Sequence, residues 1–314
     1  MKIINVAIIG SGYMANEYAK VLKKIKICKI SGIYSRRHFK AKLFANKHNI
    51  EIIGQNIKDL YIRSKADAVI VAVSPDSLKL VVKEVFKFPW NSLIEKPLGI
   101  NVNDAYDINK IAKKLKSKSF IALNRRHYSS TLKSIDLLKL DKSKRIINIY
   151  GQEDLNKIKK FKYSKKIINN FMYVNGIHLI DYMTLFCRGK IVKIEKVVKW
   201  QGLKKKGFVL CTFCYSSGDV ATFSTIWNKP FPWQVIISTS KQRIELKPLE
   251  ICKLYRVNQK THISYKVDKI DKIFKPGIYK QTNEFVKSIK KPNKKLMNIS
   301  HGYNLMKILK GIYD

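Results

Sequence analysis

The chain has 314 residues, about twice an average domain, so two domains are expected. Apolar residues make up 46% of it, enough for true cores, and no low-complexity tract or internal repeat is visible, which excludes disordered, solenoid and propeller classes. Its 63 basic and 22 acidic residues give a net charge of +41, which raises nucleic acid or an acidic membrane as a partner class to be weighed against the pattern of the chain.

Met1-Lys2 leads directly into the apolar run Ile3–Ile9, which has strand length and stops at Gly10. No cleavage-type pattern follows and no uncharged apolar run reaches the ~18 residues of a membrane helix, so a cytoplasmic protein without membrane insertion is expected. From residue 3 to about 124, strand patterns at Ile3–Ile9, Cys28–Tyr34, Ala68–Val73, Ser92–Glu95 and Phe120–Leu123 alternate with helical spacing at Tyr13–Ile25, Arg37–His48, Ser77–Phe86 and Asn103–Leu115. Continuous apolar strands separated by amphipathic helices predict a doubly wound parallel sheet covered on both faces.

The first strand runs into Gly10-Ser-Gly12-Tyr13-Met14-Ala15, a G-x-G-x-x-A turn. There the first glycine permits the tight turn, the second lets backbone approach a pyrophosphate, and the small third residue lets the helix pack on the strand. Helix N-terminal amides would then face the phosphate charge. An NAD site usually carries Asp or Glu at the end of the second strand; here Ser35-Arg36-Arg37 occupies that place and no acid occurs from Ile33 through Ile50. Those groups suit the 2′-phosphate of NADP through charge-assisted hydrogen bonds, with NAD as the alternative. Ser74 and Pro75, after the Ala68–Val73 strand, are expected to line the dinucleotide groove. Glu95-Lys96-Pro97 ends the next strand, and Pro97 keeps Lys96 extended toward the crevice.

From about Tyr128 the rhythm changes. A helix at Tyr128–Leu140 and a strand at Arg145–Gly151 precede a Lys-rich connection and a helix near Gly176–Cys187. β-Rich runs follow at Ile191–Trp200, Phe208–Tyr215, Val220–Trp227, Gln234–Ser238, Arg243–Leu246, Cys252–Val257 and His262–Tyr265, then helical spacing at Tyr279–Lys290 and Ile299–Ile312. This predicts an α+β domain over 124–314 with an open, mainly antiparallel sheet, after a dinucleotide-binding domain over 1–123. Asn175 is expected as N-cap of the Gly176 helix, with Gly189 beyond its end. His178 then falls in the first turn, where helix amides favour a neutral ring, with Asp181 on the same face. The five cysteines are scattered and expected as free thiols. Cys211 and Cys214 would point to opposite sides of a strand and lack a second pair, so no metal is expected.

These motifs, in this order, resemble the glucose–fructose oxidoreductase / inositol dehydrogenase (Gfo/Idh/MocA) family. The likeness rests on Ile8–Ala15, Ile33-Tyr-Ser35-Arg36, Glu95-Lys96-Pro97-Leu98, Asn124-Arg125-Arg126, Gly176-Ile-His178-Leu-Ile-Asp181 and the late stretch Tyr279–Ile289 with Glu284-Phe285. It implies a Rossmann domain, an open-sheet C-terminal domain that forms homo-oligomers, and NAD(P)-linked redox chemistry on a sugar, cyclitol or nucleotide-sugar hydroxyl. It further implies Glu95 and Lys96 beside the cofactor, Lys96 and His178 as catalytic pair, and Arg125, Asn175, His178 and Asp181 among the substrate contacts. The chain departs from the pattern at Val174, where many members carry Asp or Asn, and at Leu78, where a His is common.

Only nine of the basic residues are Arg, while Lys, Ile and Asn abound along the whole length apart from short runs such as Lys204-Lys205-Lys206. That is what A/T-rich codons supply, whereas nucleic-acid readers favour Arg, so no specific nucleic-acid partner is expected. The leading expectation is a hydride-transferring enzyme of nucleotide-sugar metabolism, feeding a surface polysaccharide. Its rivals are a catalytically idle dinucleotide-binding sensor or scaffold and a nucleic-acid-binding protein that retains the fold.

Overall fold

The computed structural model describes residues 3–161, 163–202 and 207–314, so the Lys204-Lys205-Lys206 run lies outside the described residues. The chain divides into two compact units, Met1–Asn124 with Ile273–Met306, and Arg125–Lys272 with Lys307–Asp314.

The first unit opens with β1 (Ile4–Ile9), α1 (Tyr13–Leu22), β2 (Cys28–Tyr34), α2 (His38–His48) and α3 (Ile57–Ser64). It continues with β3 (Ala68–Val71), α4 (Pro75–Val85), β4 (Asn91–Glu95), α5 (Val102–Ala112) and β5 (Ser119–Ala122). β1 to β5 pair in parallel in the order β5-β4-β3-β1-β2. Their all-buried stretches, such as Ala68–Val71, explain why they read as unbroken apolar runs. The order reverses between β1 and β3, which opens a crevice at their carboxyl ends, the usual ligand position in such sheets. Ala15 and Ala19 of α1, both fully buried, bring that helix close onto the sheet.

The second unit begins with α6 (Ser129–Leu138), β6 (Ile146–Glu153), α7 (Leu155–Lys160), α8 (Lys165–Asn169) and α9 (Phe171–Phe186). β7 (Ile191–Val198), β8 (Phe208–Tyr215), β9 (Val220–Trp227), β10 (Gln234–Ser238), β11 (Gln242–Leu246), β12 (Cys252–Arg256), β13 (Ile263–Tyr265) and α10 (Lys269–Ile273) follow. The eight strands form one sheet in the order β13-β12-β11-β10-β6-β9-β8-β7, antiparallel except for the parallel β6–β9 pair. Burial alternates along β6 and β8, as expected of a sheet with one packed and one open face. Cys211 is buried on one face of β8 while Cys214 lies on the other.

The chain ends with α11 (Ile278–Ser288), β14 (Met297–Asn298) and α12 (Ile299–Tyr313). α11 and β14 group with the first unit, although the sequence reading assigned everything after 124 to the second domain. The cause is apolar burial: Ile278, Phe285, Val286 and Leu296 join the core of β1, α1 and β2, and the Phe285 ring meets Phe120 edge-on at 6.3 Å. β14 then adds to the edge of β5 in antiparallel register.

Candidate active site

The glycine loop between β1 and α1 is shaped by two glycines with different tasks. Gly10 has φ +111°, and a Cβ there would lie 2.1 Å from the carbonyl oxygen of Ala72, so a side chain is excluded twice over. A Cβ on Gly12 would meet nothing within 4 Å. The space beside Gly12 is therefore open, and the first amides of α1 border it with no acidic residue in the first turn. Such a cradle fits the pyrophosphate of a dinucleotide. Tyr13 is exposed, Met14 half-buried and Ala15 buried against the sheet.

Ser35, just past β2, lies with its Oγ 3.0 Å from Ser11 Oγ, which ties the glycine loop to the end of the second strand. Arg36 and Arg37 follow, both exposed, immediately before α2. Ser74 and Pro75 form the start of α4 beyond β3, with the Ser74 hydroxyl turned to the Asp76 carboxylate. The topology thus brings Gly10, Gly12, Ser35, Ser74, Glu95 and Lys96 to the carboxyl end of one parallel sheet.

At the end of β4, Glu95 is buried and Lys96 half-buried. The Tyr18 hydroxyl, from α1, donates to Glu95 Oε1 at 2.6 Å, and Gln281 Nε2, from α11, donates to the Tyr18 oxygen at 3.4 Å. The Lys96 backbone N–H donates to Glu95 Oε2 at 3.1 Å. Burial raises the Glu95 carboxyl above its usual range, while Lys96, the Tyr18 hydrogen bond and the Lys275 charge pull it back. Burial, followed by the neighbouring Glu95 charge, pushes the Tyr18 phenol well up, so it remains a neutral donor. None of Tyr18, Gln281 and Lys275 stood out in the sequence. Their contacts span up to 263 positions, and no local pattern announces such pairs.

In the second unit the expected cap at Asn175 is not where α9 begins. The helix starts at Phe171, one turn earlier, because Phe171, Tyr173 and Val174 are all buried and hold that turn in place. Gly176 is an interior position whose Cβ would come within 3.3 Å of Leu309 Cδ2, so it marks a close approach and not a start. His178 consequently lies two turns into α9, beyond the reach of the N-terminal amides, and the argument for ring neutrality from the helix end lapses. His178 is buried.

Asn175, one turn before His178 on α9, donates through Nδ2 to both carboxylate oxygens of Glu153, at 2.9 and 3.1 Å. Glu153, at the end of β6, is buried and was not singled out in the sequence. Asp181 is buried and receives Arg126: Nε reaches Oδ2 at 2.8 Å and Nη2 reaches Oδ1 at 2.8 Å, a fork-shaped pair. Arg125 lays its guanidinium 4.4 Å from the Trp233 ring centroid, and its carbonyl accepts from Thr131 Oγ1 at 2.8 Å. Arg125, Asn175, His178 and Asp181 thus all belong to the second unit, and the remaining candidates to the first. Among the described residues, no helix is long and apolar enough to cross a membrane.

Residues 4–122 match the model of an oxidoreductase family described by its NAD-binding Rossmann fold, GFO_IDH_MocA. No curated protein matches the sequence. Among solved structures, a dehydrogenase from Chromobacterium violaceum superimposes with a TM-score of 0.84 at 15% identity, covering 99% of this chain and 94% of its own. The UDP-N-acetylglucosamine 3-dehydrogenase GnnA from Acidithiobacillus ferrooxidans gives 0.79 at 14% identity, over 99% and 97%. A mutant of KijD10, a 3-ketoreductase from Actinomadura kijaniata in complex with TDP-benzene and NADP, gives 0.73 at 12% identity, over 99% and 97%. At such identities the likeness is one of fold. In keeping with the glycine cradle, residues 4–122 are similar to the NAD-binding Rossmann domain that the GFO_IDH_MocA oxidoreductase family model describes.

Proposed function

We propose that the protein is an NADP(H)-dependent oxidoreductase acting on a hydroxyl- or keto-bearing carbon of a sugar or nucleotide sugar. The observation that carries the cofactor choice is the Ser11–Ser35 contact at 3.0 Å, followed by exposed Arg36 and Arg37 with no acid from Ile33 through Ile50. A 2′-phosphate finds donors of the right charge there, whereas a free ribose hydroxyl lacks its usual carboxylate. The sugar class is supported by similarity to a UDP-N-acetylglucosamine dehydrogenase and to a ketoreductase that binds a TDP ligand with NADP.

The bound nicotinamide supplies the hydride exchange, and this chain holds the reactants and moves the proton. Lys96 donates to the reacting oxygen and stabilises negative charge as it develops. His178 takes the hydroxyl proton in oxidation and returns it in reduction. Asn175 is steered by Glu153, which leaves its carbonyl oxygen for a substrate hydroxyl, and Arg125 and Asp181 complete the substrate side. The protein works in the cytoplasm and assembles into a homo-oligomer through the open face of the eight-stranded sheet, the face on which Leu210, Thr212 and Cys214 of β8 lie half-exposed.

Fluorescence titration with NADPH and NADH at matched salt tests the cofactor assignment; tighter NADH binding refutes it. Lys96→Ala and His178→Ala should each lower turnover by about 10²-fold or more with dinucleotide affinity near normal. Full turnover in either variant removes that residue from the chemistry. A second reading, a dinucleotide binder without turnover, is favoured by the burial of apolar Leu78 and Val174 at positions where the family commonly has polar groups. Saturable NADPH binding with no turnover across sugars and nucleotide sugars would select it.

A further inference from the structure

The segment that precedes α11 returns to the mouth of the glycine loop. Asn124 Nδ2 donates to the Pro276 carbonyl at 3.0 Å, Ile278 N donates to the Lys275 carbonyl at 3.1 Å, and Gly277 takes φ +74° to turn the chain into the helix. Phe274 stacks on Tyr279 with centroids 5.5 Å apart. The backbone around Lys275 is thereby fixed on both sides, although it is 262 positions from Tyr13 in the chain. Its side chain is half-buried, and its ammonium stands 5.5 Å from the ring centroid of Tyr13, the residue that follows Gly12 in the glycine loop. Among the described residues Lys275 makes no ion pair; its charge acts on buried Glu95, which is already held by Tyr18 and the Lys96 N–H. A half-buried cation that is held in place and not neutralised by a close carboxylate has a charge available for an anionic ligand.

We propose that Lys275 is a dinucleotide-binding residue, which closes over the glycine loop from the C-terminal segment and neutralises the cofactor's pyrophosphate, with Tyr13 as the platform that holds its side chain. This rests on the reading of the glycine loop as a dinucleotide cradle. The α1 amides supply only partial charge, and Lys275 adds the full positive charge that the glycine loop itself lacks.

The test is an NADPH titration of the wild type, Lys275→Ala, Lys275→Arg and a control, Lys291→Ala, an exposed lysine beyond the far end of α11. Each is repeated with 2′-AMP, which carries the 2′-phosphate and no pyrophosphate, and thermal melting is recorded alongside. Lys275→Ala should weaken NADPH about tenfold, the scale of one charge-assisted contact at a half-exposed site. It should leave 2′-AMP and the melting temperature unchanged, and Lys275→Arg should recover most of the loss. An unchanged NADPH affinity, an equal loss for 2′-AMP, or an equal loss in the Lys291 control overturns the proposal. A wild-type protein that binds 2′-AMP but not NADPH also overturns it, and one that binds neither NADPH nor NADH takes the dinucleotide reading down with it.

Discussion

Replacing Tyr18 with Phe deletes one hydroxyl from the buried contact with Glu95 and leaves the ring in place. The lost bond is short, 2.6 Å, and made to a carboxylate that burial already disfavours. A hydrogen bond to a charged group contributes about 1.5–3 kcal/mol, and here the acceptor cannot turn to water instead, so the upper half of that range is expected at neutral pH. The pH dependence follows from the raised Glu95 pKa. A buried carboxyl raised above its unfolded value favours the fold most when protonated, and its contribution declines as pH rises through the folded value. The Tyr18 hydroxyl moderates that decline by stabilising the ionised form. Tyr18→Phe should therefore be more damaging at pH 7.5 than at pH 4.5, where the carboxyl is closer to neutral in both proteins. Urea unfolding of wild type and variant at the two pH values measures this. A cost below about 0.5 kcal/mol at pH 7.5, or one that grows toward pH 4.5, refutes the account of Glu95 as a buried anion held by Tyr18.

The two loop glycines should separate stability from binding. Gly10→Ala places a methyl on the Ala72 carbonyl at a positive φ and should cost more than about 3 kcal/mol, seen as a large fall in melting temperature. Gly12→Ala has room in the protein itself and should melt near wild type while losing NADPH affinity, since the methyl fills the cradle; retained affinity would show that the phosphate does not sit there. In the second unit, Asp219 is fully buried and receives Arg188 through Nη2 at 2.7 Å and through its backbone N–H. Although burial pushes its carboxyl up, these hydrogen bonds outweigh it and hold the pKa at about 2. The resulting stability is complete above the ordinary carboxylate range and is lost as pH falls toward 2. Asp219→Asn should cost about 2–3 kcal/mol at pH 7, discounted because Arg188 reaches solvent, and the gap to wild type should narrow in acid titration of the melting temperature.

What the sequence made legible was whatever is local. The glycine loop is a strand, a turn and a helix in a dozen residues, and each glycine's task is written in its spacing. The parallel sheet was visible because its strands are buried on both faces and read as apolar runs. Two kinds of information were hidden. α3 was passed over although Asn56, whose side chain accepts from the Asp59 N–H at 2.8 Å, marks its start; eight residues give too few periods for an apolar stripe to stand out. The start of α9 was misplaced because Asn175-Gly176 looks like a cap and a break, whereas burial of Phe171 and Tyr173 extends the helix through both. The partners of the candidate residues, Tyr18 for Glu95 in the first unit and Glu153 for Asn175 and Arg126 for Asp181 in the second, meet only after folding. No spacing in the chain encodes them.

The return of α11 to the first unit also bears on how the protein is made. A ribosome that has released residue 124 has delivered all five parallel strands but not Ile278, Phe285, Val286 or Leu296, which complete their core. At ordinary synthesis rates the missing residues arrive roughly 10–35 s later. During that interval the apolar faces of α1 and β5 are uncovered, and the second unit, whose strands lie between, can form first. A fragment cut at the apparent domain boundary would remain in that unfinished state, so the cofactor domain should be expressed with the C-terminal segment attached.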